Sequence, residues 1–128
     1  LMMKIKVRAW DKENETMVYP KGILFDGRIV GFSCGMIEAF EGYKIMPYTG
    51  VKDKNGKEIY EGDVCETVTY SGDPFGTIDI VKFSGGAFKL IDIADKMMPI
   101  HLDDSDIKSI EVIGNTFENP ELLEDANN

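Results

Sequence analysis

Residues 4–10, Lys-Ile-Lys-Val-Arg-Ala-Trp, alternate polar and apolar positions with the period of two expected of a strand whose faces differ. The pattern predicts Ile5, Val7 and Ala9 facing a core, with Lys4, Lys6, Arg8 and Trp10 sharing the other face. Residues 11–15 are polar and turn-like, and Met17-Val18-Tyr19 reads as the returning arm of a hairpin. Gly22, Asp26-Gly27 and Gly31 then punctuate short apolar pieces, Ile23-Leu24-Phe25 and Ile29-Val30, predicted as short strands. In residues 34–41, Met36, Ile37 and Phe40 fit either one face of a short helical turn or a loop packed on the core.

Turn formers dominate the next stretch. Tyr48-Thr49-Gly50 closes one segment, and Asp53-Lys54-Asn55-Gly56-Lys57 carries an Asn-Gly pair, both residues of which tolerate positive φ. Ile59-Tyr60 and the turn Glu61-Gly62-Asp63 follow. Val64 opens a β-branched run to Tyr70, a predicted strand. Residues 71–76 turn again, with Pro74 unable to donate to a ladder. Residues 77–83 alternate, placing Ile78, Ile80 and Lys82 on one face and Thr77, Asp79, Val81 and Phe83 on the other. Ser84-Gly85-Gly86 returns the chain into residues 87–91, and the spacing is that of an antiparallel meander. After a weakly patterned acidic segment, residues 109–114 read as a closing strand. Asn119, Pro120 and Glu121 then suit the cap and first turn of a short helix. The architecture predicted is mostly β: a small β-barrel or strongly bent antiparallel sheet with an N-terminal β-hairpin and a short C-terminal helical turn.

Length and composition fit this picture. A chain of 128 residues, 43% hydrophobic and 29% charged, is expected to form a single domain spanning 1–128, with a hairpin-rich part over 1–45 and a barrel-like part over 46–128. No apolar run reaches the roughly 18 residues of a membrane helix, and the first residues lack an apolar signal core, so a cytoplasmic protein with no membrane partner is expected. The net charge of −9 is uneven. Residues 1–91 carry 12 Lys+Arg against 13 Asp+Glu, whereas residues 92–128 carry 2 against 10. Such an acidic end repels nucleic acid and suits a solvated rim, a surface for a basic partner or a DNA mimic.

Candidate chemistry is sparse. Cys34 and Cys65 are too few for a disulfide scaffold and too far apart for a zinc or redox pair. A calcium loop begun at Asp53 would put Glu58 where glycine is required and Val64 where a bidentate glutamate belongs. His101 with Asp103, Asp104 and Asp106 has ligand residue types without a preorganised spacing, so no metal and no cofactor is expected. No nucleophile motif or phosphate loop occurs, and the reading is of a protein that is not an enzyme. The candidate binding feature is the strip Lys4, Lys6, Arg8 and Trp10, whose cations and indole resemble a phosphate-contact and stacking platform. Read otherwise, its lysines only discourage edge pairing and Trp10 folds onto the core.

Three blocks carry a family likeness. They are Ile5-Lys6-Val7-Arg8-Ala9-Trp10-Asp11, the stretch of residues 46–64 from Met46-Pro47-Tyr48-Thr49-Gly50 through Glu61-Gly62-Asp63-Val64, and residues 110–123 around Gly114-Asn115-Thr116-Phe117. In this order they resemble the YopX family of phage and prophage proteins. The resemblance implies a β-barrel-like domain of SH3-like character, encoded in bacterial viruses or prophages of Gram-positive hosts, and it brings no catalytic residue or cofactor. Within the central block, Tyr48, Thr49, Gly50, Asp53, Asn55, Gly56, Ile59, Tyr60, Gly62 and Asp63 are expected to set strand register and closure; a binding loop on a rigid scaffold is the other reading. Two functions stay open: an accessory module that binds a phage or host protein, and a nucleic-acid-binding module using the basic first strand. A homo-oligomer is also expected, because the face of Ile5, Val7 and Ala9 needs a surface to cover it.

Overall fold

The computed structural model describes residues 6–23, 28–33, 36–40, 42–94 and 99–125, with 31–40 and 125 as backbone only. The described residues are mostly β with one short helix, and the contacts cluster into two units that divide between Tyr48 and Thr49.

In the first unit, β1 (Val7–Asp11) pairs antiparallel with β2 (Thr16–Val18), Ala9 lying opposite Val18 and Asp11 opposite Thr16. The four-residue turn between them is built on Asp11, whose Oδ1 accepts from the amides of Glu13 and Asn14 at 3.0 and 3.2 Å. Three short strands, β3 (Gly22–Ile23), β4 (Ile29–Ser33) and β5 (Met36–Phe40), form a separate sheet in that order. The first residues of β6 (Tyr43–Lys52) pair with the other edge of β1, Tyr43 opposite Asp11 and Pro47 opposite Val7. Residues 36–40 are thus a strand, and neither the helical turn nor the packed loop expected from their spacing. Each residue of β5 faces one of β4, and this pairing overrides a pattern that carried no period of two. Lys4, Ile5, Cys34 and the strand expected through Leu24-Phe25 lie outside the described residues.

The expectation of one buried and one solvent-facing side for the first strand needs correction. Arg8, Ala9, Trp10 and Asp11 are successive residues and all are buried, at 4, 0, 8 and 8% exposure. Alternation reports unlike faces, but not whether the polar one is also covered. On the face expected to meet a second copy, Ala9 is fully enclosed by the chain itself and Val7 is half-buried, while Ile5 lies outside the described residues.

In the second unit, the end of β6 neighbours β7 (Glu58–Tyr60). Beside them runs a five-stranded antiparallel sheet of β8 (Asp63–Thr69), β9 (Thr77–Ser84), β10 (Ala87–Asp92), β11 (Ile100–His101) and β12 (Ile107–Asn115), ordered β11-β10-β9-β8-β12. The pairing runs from β11 to β12 without closing, which is the bent open form of the two expected. Two register shifts in β12, between Ile107 and Ser109 and between Val112 and Gly114, insert the extra residues that bend such a strand. The core is Ile59, Cys65, Val81, Leu90, Leu102 and Ile110. In β9, Asp79 and Val81 point inward and Lys82 and Phe83 outward past the end of the core. Sequence patterning missed β11, two residues in the acidic segment.

The helix α1 (Glu121–Asp125) starts directly after Pro120. Asn119 does not cap it as expected: its Oδ1 accepts from the Asn115 amide at 3.2 Å. Asn115, 6% exposed, instead organises the turn, its Oδ1 accepting from the amides of Phe117 and Glu118 at 3.0 and 2.8 Å.

Candidate interaction surface

The basic strip does not form an exposed platform. Lys6 is exposed, its ammonium 5.7 Å from the centroid of the Tyr48 ring, but Arg8 and Trp10 are buried in the strand, and Lys4 lies outside the described residues. Lys6 also lines an open cleft of about 520 Å³ with Tyr19, Lys21 and Ile23.

The central block is tied into the sheet residue by residue. The Thr49 hydroxyl donates to the Ile59 carbonyl at 2.7 Å and accepts from the Val51 amide at 3.1 Å, beside Gly50 at φ 85°. Residues 53–57 form a tight loop in which the Gly56 amide donates to the Asp53 carbonyl at 3.0 Å and the Asp53 amide to the Lys57 carbonyl at 2.8 Å. Only Gly56 takes positive φ there, 81°, so this is a three-residue loop with one left-handed position and not the two-residue turn that Asn-Gly suggests. Asn55 donates to Glu111 at 3.5 Å, and Lys54 pairs with the same carboxylate at 3.1 Å. Asp53 accepts from three backbone amides: Asn55 and Lys57 on Oδ1, and Val112 on Oδ2, each at 2.9 Å. Burial pushes this carboxyl up, but the amides of Val112, Lys57 and Asn55, with the charge of Lys57, outweigh it and hold its pKa below the ordinary value. Ile59 and Tyr60 are buried, and the Tyr60 amide donates to Asp63 at 2.8 Å across the turn that Gly62 makes at φ 89°.

Two titratable side chains of the sheet, Cys65 and Asp79, are buried. Burial pushes the Cys65 thiol far up, with Asp63 and Asp79 adding to it, so it stays protonated and unreactive. Asp79 faces Asp92 across the ladder, and desolvation raises its pKa against the hydroxyls of Thr67 and Thr77; the latter donates at 3.2 and 3.1 Å. His101 is exposed at the rim of a cavity of about 230 Å³ with Val51, Phe88 and Leu102. Among the described residues no group of three or more His, Cys, Asp or Glu is placed to hold a metal ion. Of the carboxylates close to His101 in sequence, Asp104 accepts from the Asp106 amide at 2.8 Å, and Asp106 holds Ser71.

The sequence reads residues 71–76 as a turn but does not single out this loop, which joins β8 to β9, as a candidate site. Phe75 is 88% exposed and Tyr70 71%, yet the loop carrying them is tied down throughout. The Thr69 hydroxyl accepts from the Gly72 amide at 3.0 Å, Asp73 from the Phe75 amide at 2.8 Å, and the Gly76 amide closes onto the Asp73 carbonyl at 2.9 Å. Gly76 sits at φ 81°, where a Cβ would come within 2.8 Å of the Thr67 carbonyl. Asp106, on the turn before β12, accepts from the Ser71 amide at 3.2 Å and from its hydroxyl, while the Tyr70 amide donates to the Asp106 carbonyl at 2.8 Å. The signal available in the sequence was a phenylalanine directly after Asp-Pro in a run of small and polar turn residues.

The family model of the YopX protein matches residues 6–124. The chain belongs to the YopX family. Protein EF1440 from Enterococcus faecalis is 27% identical, with a TM-score of 0.62 over 95% of this chain and 99% of that one. Protein yopX from Bacillus subtilis is 25% identical, with a TM-score of 0.67 over 94% of this chain and 97% of that one. Comparison with curated proteins gave no match. The YopX blocks noted in the sequence therefore coincide with turns and register-setting hydrogen bonds. No helix among the described residues is long and apolar enough to cross a membrane.

Proposed function

We propose that this YopX protein is a non-enzymatic interaction module, an accessory protein of a phage or prophage that acts in the bacterial cytoplasm by binding a phage or host protein. The observation that carries the reading is Phe75, 88% exposed at the tip of a loop whose polar side chains are committed to holding it. A large apolar ring kept in water on a rigid support gains free energy when a partner covers it, with little ordering cost. The nucleic-acid reading loses its platform with the burial of Arg8 and Trp10. The test is quantitative affinity capture from lysogenic cells with the full chain as bait, followed by reconstitution of any retained protein with purified components. A stoichiometric protein complex that survives nuclease treatment is the expected result. Retention of nucleic acid alone, with submicromolar affinity for oligonucleotides, would overturn it.

A further inference from the structure

The second unit is strongly acidic and the first is not. Residues 49–128 carry 7 Lys+Arg against 17 Asp+Glu, while residues 1–48 carry 7 against 6. Within the acidic unit the exposed aromatics fall into two kinds. Phe83 is 54% exposed, stacks edge-on against Phe88 at 5.0 Å and donates its amide to Glu61 at 2.9 Å, one ladder position from the pair Lys82 and Lys89. Tyr70 and Phe75 sit at the loop end of the β8–β9 hairpin, whose residues 63–81 contain Asp63, Glu66, Asp73 and Asp79 and whose one cation, Lys82, lies near the far end of β9. The turn that buttresses them adds Asp103, Asp104 and Asp106, and its first cation is Lys108.

Two of these carboxylates are fixed against the loop backbone itself, Asp73 beneath the Phe75 amide and Asp106 against Ser71. Each carboxylate keeps acceptor capacity beyond the bonds it makes to the loop. A partner approaching this tip therefore meets π faces beside fixed negative charge. That combination favours a cation whose flat or methylene-rich stem can lie on a ring while its head reaches an acid, which describes arginine first and lysine second. An acidic or phosphate-bearing ligand meets only repulsion here.

Building on the interaction-module reading, we infer that the β8–β9 loop, through Phe75 and Tyr70 with Asp73 and Asp106, docks a basic, arginine-bearing segment of a protein partner. The buttressing hydrogen bonds preorganise the loop, so the site exists before the partner arrives. Association is salt-sensitive because the carboxylates attract the segment, and dissociation is governed by the covered aromatics.

The test is an NMR titration of the isotope-labelled full chain with a synthetic dodecapeptide holding four arginines among glycine, serine and leucine, and with its counterpart in which every arginine is glutamate. Amide shifts should centre on residues 69–77 and 103–107 with the arginine peptide and be absent with the glutamate peptide. Phe75→Ser should weaken binding roughly tenfold, as for an aromatic anchor at an interface centre. Phe83→Ser, which alters an exposed ring outside the β8–β9 loop, should change it less than about twofold on the same basis. Equal binding of both peptides, shifts spread over the acidic surface without the loop, or equal losses from the two substitutions would each overturn the inference. Failure of the module reading looks different: a captured protein partner bound equally by wild type and Phe75→Ser refutes this loop and keeps the module, whereas absence of any protein complex refutes the module.

Discussion

Removing the Asp53 carboxylate isolates one interaction on which the second unit depends. Asp53→Ala leaves three backbone amides without their acceptor, but these do not count equally. Asn55 and Lys57 are exposed, so water can replace the carboxylate there at small cost. Val112 is half-buried in β12 beside a register shift, and its amide has no such substitute at hand. Hydrogen bonds to a charged group contribute about 1.5–3 kcal/mol each, and a stranded buried donor costs about 1–3 kcal/mol. The expected loss is therefore about 2–3 kcal/mol, the Val112 bond dominating, and not the sum of three full bonds. Asp53→Asn keeps an oxygen for the loop amides but turns an NH₂ donor toward Val112, for a loss of about 1–2 kcal/mol. Urea unfolding followed by far-UV circular dichroism reads both through the midpoint at constant m. Acid supplies a second readout. The folded pKa of Asp53 lies below its ordinary 3.8, so its contribution is complete above that value and fades as pH falls through the lower folded one. Wild type should thus lose stability relative to Asp53→Asn below about pH 4, where that contribution begins to be titrated away. A change under about 0.5 kcal/mol for Asp53→Ala, the range of an ordinary surface substitution, would refute the role given to this carboxylate.

Asp79 should behave with the opposite sign. Its raised pKa means that folding favours the protonated form, so its contribution is complete below the ordinary 3.8 and is lost as pH rises through the folded value. Asp79→Asn should therefore raise the urea midpoint at pH 7 and lose that advantage near pH 3; a lower midpoint at pH 7 would show that the charged form is favoured instead. The homo-oligomer expected from the face of Ile5, Val7 and Ala9 is checked by light scattering coupled to size exclusion, which should return a mass above 14.3 kDa; a monomer that persists at high concentration would show that the hairpin packs within its own chain.

What was legible in the sequence follows from which physics is local. Period-two alternation and turn residues are properties of a few neighbouring positions, so β8, β9, β10 and β12 and the loop at residues 53–57 could be read directly. β5 and β11 could not, because each exists by pairing with a neighbour, β4 or β10, and neither carries its own pattern. Burial was the weakest inference. Arg8 and Trp10 have the same alternation whether their face meets water or protein, and only tertiary structure decides it. The candidate surface eluded pattern for a related reason: Phe75 is conspicuous because Thr69, Asp73, Gly76 and Asp106 hold its loop, and Asp106 lies more than thirty residues away in the chain. The family blocks mark what the fold requires locally, in Thr49, Asp53 and Asp63. The exposed aromatics of the β8–β9 loop, Tyr70 and Phe75, stand outside those blocks. A scaffold fixed by one set of residues leaves another set free to choose a partner.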